Sequence, residues 1–305
     1  MTNKEKYAEF CKGQPEMPIM MQPWWMDAVC AGQEWDVMLI SRSEIESGKA
    51  APVQETDASA ADEVVAAMPY LLRKRLGVRF VVMPHMTMFG GMWLTQDVYG
   101  SPDMQERLGK LFAKKLRGLG VAFYCQQFPA GNPMPYWLKK RGFKVREQIL
   151  HLVNSDGETV VMNPELKAEE FYRFHSACLK EQGRKPGYTR EDLLVLERKC
   201  SRIGKSCFVQ VRDAQDELQA AAFLVWDVKQ LYPLQWCVRG ENKDVEALLN
   251  RKIMSKAREL GVPVLYSQSS AGQRVTSNVV SKYTNLWLAP IFYFAYRGIT
   301  NPFAK

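Results

Sequence analysis

The sequence predicts an α/β (α+β) protein of two tandem lobes, each a mixed, mostly antiparallel sheet flanked by helices. Its 305 residues suffice for two cores of about 150 residues each. Its content of 47% hydrophobic and 24% charged residues is that of an ordinary globular protein. A shift of the chain by 141 residues places Leu119-Gly120-Val121 on Leu260-Gly261-Val262, which indicates an internal repeat. We expect the lobes at 1–153 and 158–305, joined by a turn at 154–157.

Each copy of the repeat contains an amphipathic helix followed by a short apolar strand. The first helix begins with Ser101 as N-cap and Pro102 at its first position, and the second begins near Asp244. Apolar residues recur on one face of each helix. Gly120 and Gly261 follow the helices, where a left-handed residue is favoured. The strands that come next are 121–127 and 262–268.

Three β-rich segments precede each of these helices. They are 35–40, 64–72 and 78–84 in the first lobe, and 206–213, 218–227 and 230–238 in the second. The turns at 213–216 and 227–229 suit hairpins, so antiparallel neighbours are expected. Two helices open the second lobe, one with His175 on an apolar face and one capped by Thr189. The segment 41–62 has few apolar residues, and we expect a mobile hairpin loop there.

Cysteine usage and charge restrict the class of protein. The seven cysteines are widely spaced and form no C-x-x-C pair, so we predict reduced thiols, no metal site and a cytoplasmic location. The polar N-terminus lacks the apolar core of a signal peptide, and no stretch approaches the roughly 20 apolar residues of a transmembrane span. The net charge of +8 favours anionic partners such as RNA, phosphorylated carriers or an anionic membrane face. Solubility alone is the alternative interpretation of this charge.

Four segments carry a resemblance to a known family: QPWWMDAV (22–29), MPHMTMFGG (83–91), YWLKKRGF (136–143) and the helix-to-strand passage 257–270. With the order of three antiparallel strands, helix, strand, helix and strand, each half resembles the GNAT acyltransferase fold. Tandem GNAT lobes are similar to the FemABX superfamily of peptidyl transferases and its acyltransferase relatives. The resemblance implies an N-acyltransferase that moves an acyl or aminoacyl group to an amine. Its acceptor, a small molecule or a cell-envelope precursor, is expected in the cleft between the lobes.

The residues at the starts of the two helices do not favour the binding of coenzyme A. Acyl-CoA-dependent members of the family have a glycine-rich turn whose N–H groups hold the pyrophosphate at a helix N-terminus. The corresponding turns here, 98–106 and 238–246, each contain one glycine and at least two carboxylates, which suit helix capping and repel a pyrophosphate. The FemABX relatives use aminoacyl-tRNA and lack this turn, so tRNA is a candidate partner. The donor stays open between aminoacyl-tRNA and acyl-CoA, and the sequence does not predict the oligomeric state.

By resemblance, the fourth and fifth strands of the second lobe separate, and the reaction takes place between them. Gln235 and Arg239 lie at even spacing along the fourth strand and share one face, so we predict that both contact substrate. Gln268 and Ser270 end the fifth strand and are predicted to do the same. The alternatives are a satisfied buried amide at Gln235 and, for Arg239, a surface ion pair with a carboxylate of the turn that follows.

Three further residues are site candidates. Tyr283 is predicted on the helix after the fifth strand, where the resemblance implies a general-acid tyrosine; an aromatic core anchor is the alternative. His85 and Thr87 lie in a loop-like segment beside paired glycines, where exposed polar groups commonly bind ligands, and we predict substrate contacts there. His175 and Cys237 are interpreted as buried structural groups.

Two other classes of function stay open at this point. The second hypothesis is a catalytically silent binding protein for an envelope precursor or a glycan, because no residue is indispensable for chemistry on sequence grounds. An RNA-binding module is the third hypothesis, and it predicts a steep salt dependence of binding.

Overall fold

The structure, a computed structural model, describes residues 1–48, 63–75, 77–155, 166–267 and 272–283. It divides into two compact units. Unit 1 contains Met1–Gln148 together with the described residues from Thr276 onward, and unit 2 is Ile149–Val275. From the sequence, the C-terminal segment was expected in the second lobe. The division differs in this respect because the last described strand pairs with a strand of unit 1.

Helices and strands alternate along the chain. The elements that begin in unit 1 are α1 (Asn3–Lys12), α2 (Pro23–Val29), β1 (Trp35–Ser41), α3 (Arg42–Ser47), β2 (Val64–Arg75), β3 (Val78–Val82), β4 (Trp93–Leu94), α4 (Gln96–Tyr99), α5 (Pro102–Gly118), β5 (Phe123–Phe128), α6 (Met134–Lys139) and β6 (Lys144–Val153), with a 3-10 turn at Ile19–Met21. The elements that begin in unit 2 are α7 (Ala168–Glu181), α8 (Arg190–Arg202), β7 (Ser206–Arg212), β8 (Leu218–Trp226), β9 (Leu231–Val238), α9 (Lys243–Leu260), β10 (Val264–Tyr266) and β11 (Gln273–Tyr283).

Each unit contains a mixed, mostly antiparallel sheet. The strand order in unit 1 is β1-β2-β3-β5-β11, and β4 pairs with β2. In unit 2 the order is β6-β10-β9-β8-β7. Among the described pairs, β3 with β5 and β9 with β10 are parallel, and the others are antiparallel. The predicted fold class is therefore confirmed.

The core of unit 1 forms where α5 packs on the sheet. Ser101 caps this helix by accepting a hydrogen bond from Met104 N–H (3.4 Å), and Pro102 occupies the first turn, as predicted. The buried apolar face of α5 belongs to the same cluster as Tyr124 and Phe128 of β5. Full burial of one large apolar side chain stabilises a fold by about 1.5–3 kcal/mol, so this face fixes the position of α5.

One charged pair lies inside unit 1. Lys115 of α5 forms an ion pair with Glu44 of α3 (2.7 Å), and both side chains are at least nine-tenths buried. Lys115 also donates to Leu39 O (2.9 Å). Glu44 completes a capping box with Ser41. Removal of one partner would leave a buried charge without compensation, so this pair stabilises the short helix α3 against the core.

The sheet of unit 2 is covered on both faces. Apolar residues of α9, including Leu249, Ile253 and Ala257, pack with the strands on one face. Asn242 caps the start of α9, and Gly261 ends it in the left-handed region (φ +69°), as the repeat predicts. The helix α7 contacts β8 and β9, and α8 begins at the predicted cap Thr189 with a capping box.

Two local predictions were wrong. The expected loop at 41–62 begins instead with the helix α3, because Ser41 and Glu44 form a capping box that the low apolar content of the segment hides. Residues 49–62 lie outside the described residues. The segment 273–283, where we expected a helix to include Tyr283, is the strand β11, which pairs with β5 from Asn278 opposite Phe128 to Tyr283 opposite Phe123.

No helix in the described ranges is both long enough and apolar enough to cross a lipid bilayer.

Candidate functional site

The parallel strands β9 and β10 of unit 2 separate after a single pair in register. Val264 lies opposite Leu231, and Leu231 N–H donates to Pro263 O (2.9 Å). Beyond this pair β10 ends at Tyr266, whereas β9 continues to Val238. Within the described ranges, no strand pairs with this edge of β9 beyond Leu231. We call the space beside this edge the β9–β10 gap; an open strand edge presents N–H and C=O groups to a ligand.

A bulge bends β9 at the start of this gap. Pro233 lies opposite Leu224 and Gln235 lies opposite Phe223, so Leu234 is an extra residue. Bulges re-aim side chains, and they are common beside active sites. This bulge was not predicted from the sequence. Pro233 is the signal that could have found it, because proline within a strand is confined to edges and bulges.

Two backbone N–H groups of β9 point toward the β9–β10 gap. Arg239 N–H donates to Gln219 O (2.8 Å), on the side of β8. The direction of the N–H groups alternates along a strand, and the pairing of β8 with β9 is regular from Trp236 to Val238. The N–H groups of Trp236 and Val238 therefore lie on the edge that faces the gap. Such donors stabilise a carbonyl oxygen that gains negative charge.

Gln235 and Arg239 lie on the sheet face that α7 covers, as their spacing predicts. Gln235 is opposite Phe223, whose ring stacks on Phe208 at 4.8 Å between centroids, and Phe208 contacts an aromatic ring of α7. The Arg239 guanidinium lies 5.6 Å from the centroid of the Phe174 ring of α7. The structure thus brings these two predicted residues together on one face.

Arg239 forms its ion pair with a different carboxylate from those we considered. Its Nη1 lies 3.5 Å from Glu217 Oε2, and both side chains are exposed. Glu217 precedes β8, whereas the predicted alternatives belong to the turn after β9. Exposed ion pairs contribute about 0–1 kcal/mol, so Arg239 can exchange this carboxylate for an anionic group of a ligand at small cost.

Two thiols contact each other behind these residues. Cys178 of α7 and Cys237 of β9 are both free and buried. The hydrogen bond to Cys178, and then burial, raise the pKa of Cys237 far above its ordinary value. The same hydrogen bond lowers the pKa of Cys178, which burial opposes. The Cys237 thiol therefore donates this hydrogen bond and Cys178 accepts it, and both groups are buried inside unit 2.

His175 is a buried, neutral ring, as predicted. It lies in stacked contacts with Phe171 (5.6 Å) and Tyr188 (5.7 Å). Its Nδ1 is 2.7 Å from the Tyr188 hydroxyl. Burial, followed by the positive charge of Arg184, lowers its pKa to about 4. At neutral pH the imidazole accepts the hydroxyl proton of Tyr188 in a hydrogen bond, and it is too buried to serve as a base for a substrate.

Unit 1 contains a second parallel pair that separates, β3 with β5. Phe80 lies opposite Phe123 and Val81 opposite Tyr124. Beyond Val82 the segment 83–91 returns to the sheet and occupies the space beside β5, which we call the β3–β5 gap. Gly90 N–H donates to Gln127 O (2.8 Å), so the returning segment takes over the pairing of the β5 edge.

A side-chain amide holds this returning segment in place. Gln126, fully buried, accepts hydrogen bonds from Gly91 N–H and from the Tyr124 hydroxyl (both 3.1 Å). Its amide group donates to Pro69 O (3.0 Å). A Cβ on Gly91 would lie 2.7 Å from a carbon of the Phe128 ring, and the φ of Gly91 is +77°. The paired glycines of this segment thus serve close packing.

The predicted site residues His85 and Thr87 belong to this packed segment. Thr87 is buried; it accepts a hydrogen bond from Trp25 Nε1 and donates to His85 O (both 3.1 Å). His85 Nε2 lies 3.1 Å from Arg73 Nη2. The structure brings these two residues together in unit 1, where the hydroxyl of Thr87 has protein partners for both its donor and its acceptor function.

The remaining predicted residues are placed as follows. Tyr283, the last residue of β11, packs in unit 1 with its ring 4.7 Å from that of Phe123, the arrangement expected of an aromatic core anchor. Gln268 and Ser270 lie outside the described residues. In the described part of the chain, no three His, Cys, Asp or Glu side chains converge as metal ligands.

The helix starts do not fit a pyrophosphate. Asn242 Oδ1 accepts hydrogen bonds from Asp244 N–H (3.1 Å) and Val245 N–H (3.2 Å), so the first N–H groups of α9 already have a partner. Ser101 caps α5 in the same manner, with Asp103 in the first turn. A pyrophosphate at either helix would have to displace a cap and approach a carboxylate, so these residues do not fit coenzyme A.

Comparison with known proteins gives a shared fold. No protein-family model and no curated protein sequence matches this chain. The crystal structure of FemX superposes with a TM-score of 0.55 and 12% identity, and the match covers 99% of each chain. L-PGS from Bacillus licheniformis gives 0.45 and 10%, over 77% of this chain and 86% of that one. A tandem GNAT protein from the clavulanic acid biosynthesis pathway gives 0.46 and 10%, over 83% and 99%.

Of these three structures, FemX alone has a TM-score above 0.5. At 12% identity the match establishes that the chain has the fold of FemX over its whole length. It does not by itself assign an activity, because one fold hosts many functions.

Proposed function

We propose that the chain is an N-acyltransferase that transfers an acyl or aminoacyl group to an amine at the β9–β10 gap of unit 2. The observation that carries the proposal is the β9–β10 gap itself, in a chain with the fold of FemX. The bulged strand β9 borders this gap and directs two N–H groups toward it. The β3–β5 gap is filled by the chain's own residues, which favours unit 2 as the place of reaction.

The chemistry that this arrangement supports is direct transfer. The amine nitrogen attacks the carbonyl carbon of the donor, the bond from that carbon to the leaving group breaks, and the amine proton passes through solvent to the leaving group, which departs as an alcohol or thiol. Negative charge develops on the carbonyl oxygen during the attack. The N–H groups of Trp236 and Val238 are suitable donors to that oxygen, and one such donor is typically worth about 10²–10³ in rate.

The side chains bind and orient the reactants rather than exchange protons. Gln235 offers an amide beside the bulge, and Arg239 offers an exposed cation held by the Phe174 ring. We assign Arg239 to an anionic group of the donor or acceptor and Gln235 to a peptide-like or sugar-like group. Gln268 and Ser270 stay predictions of the sequence for the same site, and we assign no catalytic role to Tyr283, His85 or Thr87.

The donor that fits best is an aminoacyl ester such as aminoacyl-tRNA. The capped, acidic starts of α5 and α9 disfavour acyl-CoA, whereas a net charge of +8 favours a nucleic acid. The acceptor is an amine on a small molecule or on a cell-envelope precursor.

The test is a transfer assay on the full chain. Radiolabelled aminoacyl-tRNAs and acyl-CoAs are each incubated with a pool of amine acceptors, and the label that moves to the acceptors is measured. We expect transfer from aminoacyl-tRNA. Gln235→Leu and Arg239→Gln should each lower kcat/KM at least about tenfold, because each removes a hydrogen bond or charge that positions substrate.

Arg202→Gln is the matched control for Arg239→Gln, because Arg202 is an exposed arginine at the end of α8 in the same unit. It should leave kcat/KM unchanged. The proposal would be refuted if neither donor class gave transfer. It would also be refuted if Gln235→Leu, Arg239→Gln and Arg202→Gln lost activity equally.

A further inference from the structure

A surface hollow of about 540 Å³ lies beside α7 in unit 2. Tyr172, Ser176 and Lys180 line it, and their spacing of four residues places them on one face of the helix. This face differs from the one that carries His175 and Cys178 toward the sheet. A volume of this size is in the range of small-molecule sites, about 300–1,000 Å³. We call it the α7 hollow.

The opposite wall of the α7 hollow is held in place by the end of α7. Gly183 N–H donates to Lys180 O (3.0 Å) and Arg184 N–H donates to Leu179 O (2.8 Å). With Gly183 in the left-handed region (φ +68°), these bonds form the turn that folds the chain back over the last helical turn. Tyr188, at the end of this wall, is fixed through its hydroxyl on buried His175. The backbone of this wall is thus fixed.

One polar atom in the wall of the α7 hollow lacks a partner among the described residues. Ser176 Oγ is excluded from solvent and makes no hydrogen bond there. Buried hydroxyl groups are nearly always hydrogen-bonded, and leaving one unpaired costs about 1–3 kcal/mol. Movement of the side chains that cover Oγ on binding would expose it to an oxygen atom of the ligand, which would then supply this partner.

The α7 hollow is strongly positive. Lys180, Arg184 and Lys185 line it, and in the described part of the chain none of them forms an ion pair with a carboxylate. Of the acidic side chains of α7 and α8, Glu169 pairs with Arg190 (2.9 Å) and Asp192 belongs to the cap of α8, while Glu181, next to Lys180 in sequence, forms no ion pair with a cation of the hollow in the described part of the chain. Three positive charges beside one exposed carboxylate leave a net positive rim, which favours an anionic ligand.

Two aromatic rings stand next to these charges. Tyr172 and Tyr188 meet edge to face with centroids 6.0 Å apart and planes at 66°, and both line the α7 hollow. Their rings provide an apolar corner against which a flat group packs. The hollow therefore combines a cationic rim, an unpartnered hydroxyl and an aromatic corner.

We propose that the α7 hollow binds an organic phosphate, with its phosphate group on Ser176 and the three cations and its flat, apolar part against the two tyrosines. This site is separate from the β9–β10 gap and does not depend on acyl transfer, because binding is measured without turnover.

The experiment is a calorimetric titration of phenyl phosphate into the full chain. We expect saturable binding at one site, and Arg184→Gln should weaken it at least about tenfold, because a charge-assisted hydrogen bond to phosphate is lost. Arg202→Gln removes the same charge at the end of the neighbouring helix α8 and should leave the affinity unchanged. Tyr172→Leu should weaken the binding of phenyl phosphate and leave the binding of inorganic phosphate unchanged.

Ser176→Ala separates binding from folding. Since the hydroxyl has no partner among the described residues and its unpaired burial is unfavourable, the variant should keep or raise the Tm of the original chain and still bind phenyl phosphate several-fold more weakly. Absence of saturable binding would overturn the proposal, and so would an equal loss of affinity in Arg184→Gln and Arg202→Gln. Benzoate binding as tightly as phenyl phosphate would overturn the assignment to phosphate.

Discussion

The two units use the same strand arrangement in opposite ways. In each, two parallel strands separate after one or two pairs in register. In unit 1 the chain that leaves β3 returns at 83–91 and fills the β3–β5 gap, where Gly90 N–H donates to Gln127 O. In unit 2 the chain that leaves β9 continues through a short turn into α9, which Asn242 caps. In the described part of the chain, the segment after the strand therefore decides whether the gap is filled by the chain itself.

The largest difference is expected between two glutamines. Gln126→Leu should lower the free energy of unfolding by about 4 kcal/mol, because Gly91 N–H, the Tyr124 hydroxyl and Pro69 O each lose a buried partner. Gln235→Leu, the same substitution in half-buried Gln235 of unit 2, should lower it by less than about 1 kcal/mol. Urea denaturation measures both.

Equal destabilisation by these two substitutions would break the comparison, because Gln235 would then be as structural as Gln126. A loss of transfer in Gln235→Leu without a loss of stability would support a role of Gln235 in substrate binding and not in folding.

Two glycines provide a second contrast. Gly91 and Gly240 both have positive φ, +77° and +64°, but an added Cβ meets the Phe128 ring only at Gly91. Gly91→Ala should cost about 3 kcal/mol, the sum of left-handed strain and overpacking. Gly240→Ala should cost about 1 kcal/mol, from strain alone. Thermal unfolding of both variants distinguishes them, and a similar Tm loss in both would mean that the β3–β5 gap is loosely packed.

Acid should loosen unit 2 through His175. Its pKa in the folded chain is about 4, below the ordinary value of 6.5, so the unfolded chain binds the proton more tightly. The stability that neutral His175 contributes is full above pH 6.5 and is lost as the pH falls toward 4, by about 2–3 kcal/mol. Hydrogen exchange of α7 amides between pH 7 and 4 measures this. His175→Gln should remove this part of the pH dependence. If the exchange of α7 amides in that variant depended on pH as in the original chain, the role of His175 would be contradicted.

The smallest effect is expected at Arg239. Loss of its exposed ion pair with Glu217 should change the free energy of unfolding by at most about 0.5–1 kcal/mol, while transfer falls. If Arg239→Gln instead destabilised the chain by several kcal/mol, its contact with Phe174 would be structural, and the substrate role would be withdrawn.

Features with local causes were predictable from the sequence. Ser101 with Pro102, Thr189 and Gly261 mark helix ends because capping depends on the few residues around each end. The hairpin turns and the order of strands followed from turn residues and alternation. The membership of β11 in unit 1 was not predictable, since its pairing with β5 joins residues far apart in sequence and leaves no local pattern.

The site was predictable in part. The shared face of Gln235 and Arg239 followed from the period of a strand. The bulge at Leu234 changes that period locally, and only Pro233 hinted at it. His85 and Thr87 looked exposed because glycines and polar residues are typical of loops. The burial of Thr87 and the contact of His85 with Arg73 depend on the return of this segment to β5, a tertiary contact that no local pattern reveals.

The most direct test of the contrast between the two gaps is hydrogen exchange of the Gly90 and Trp236 amides in the full chain, followed by NMR. We expect Gly90 N–H to exchange only through extensive unfolding of unit 1 and Trp236 N–H to exchange orders of magnitude faster. Addition of an aminoacyl donor should slow exchange of Trp236 N–H and leave that of Gly90 N–H unchanged. If Trp236 were as protected as Gly90 in the free protein, the β9–β10 gap would be filled, and the account would be contradicted.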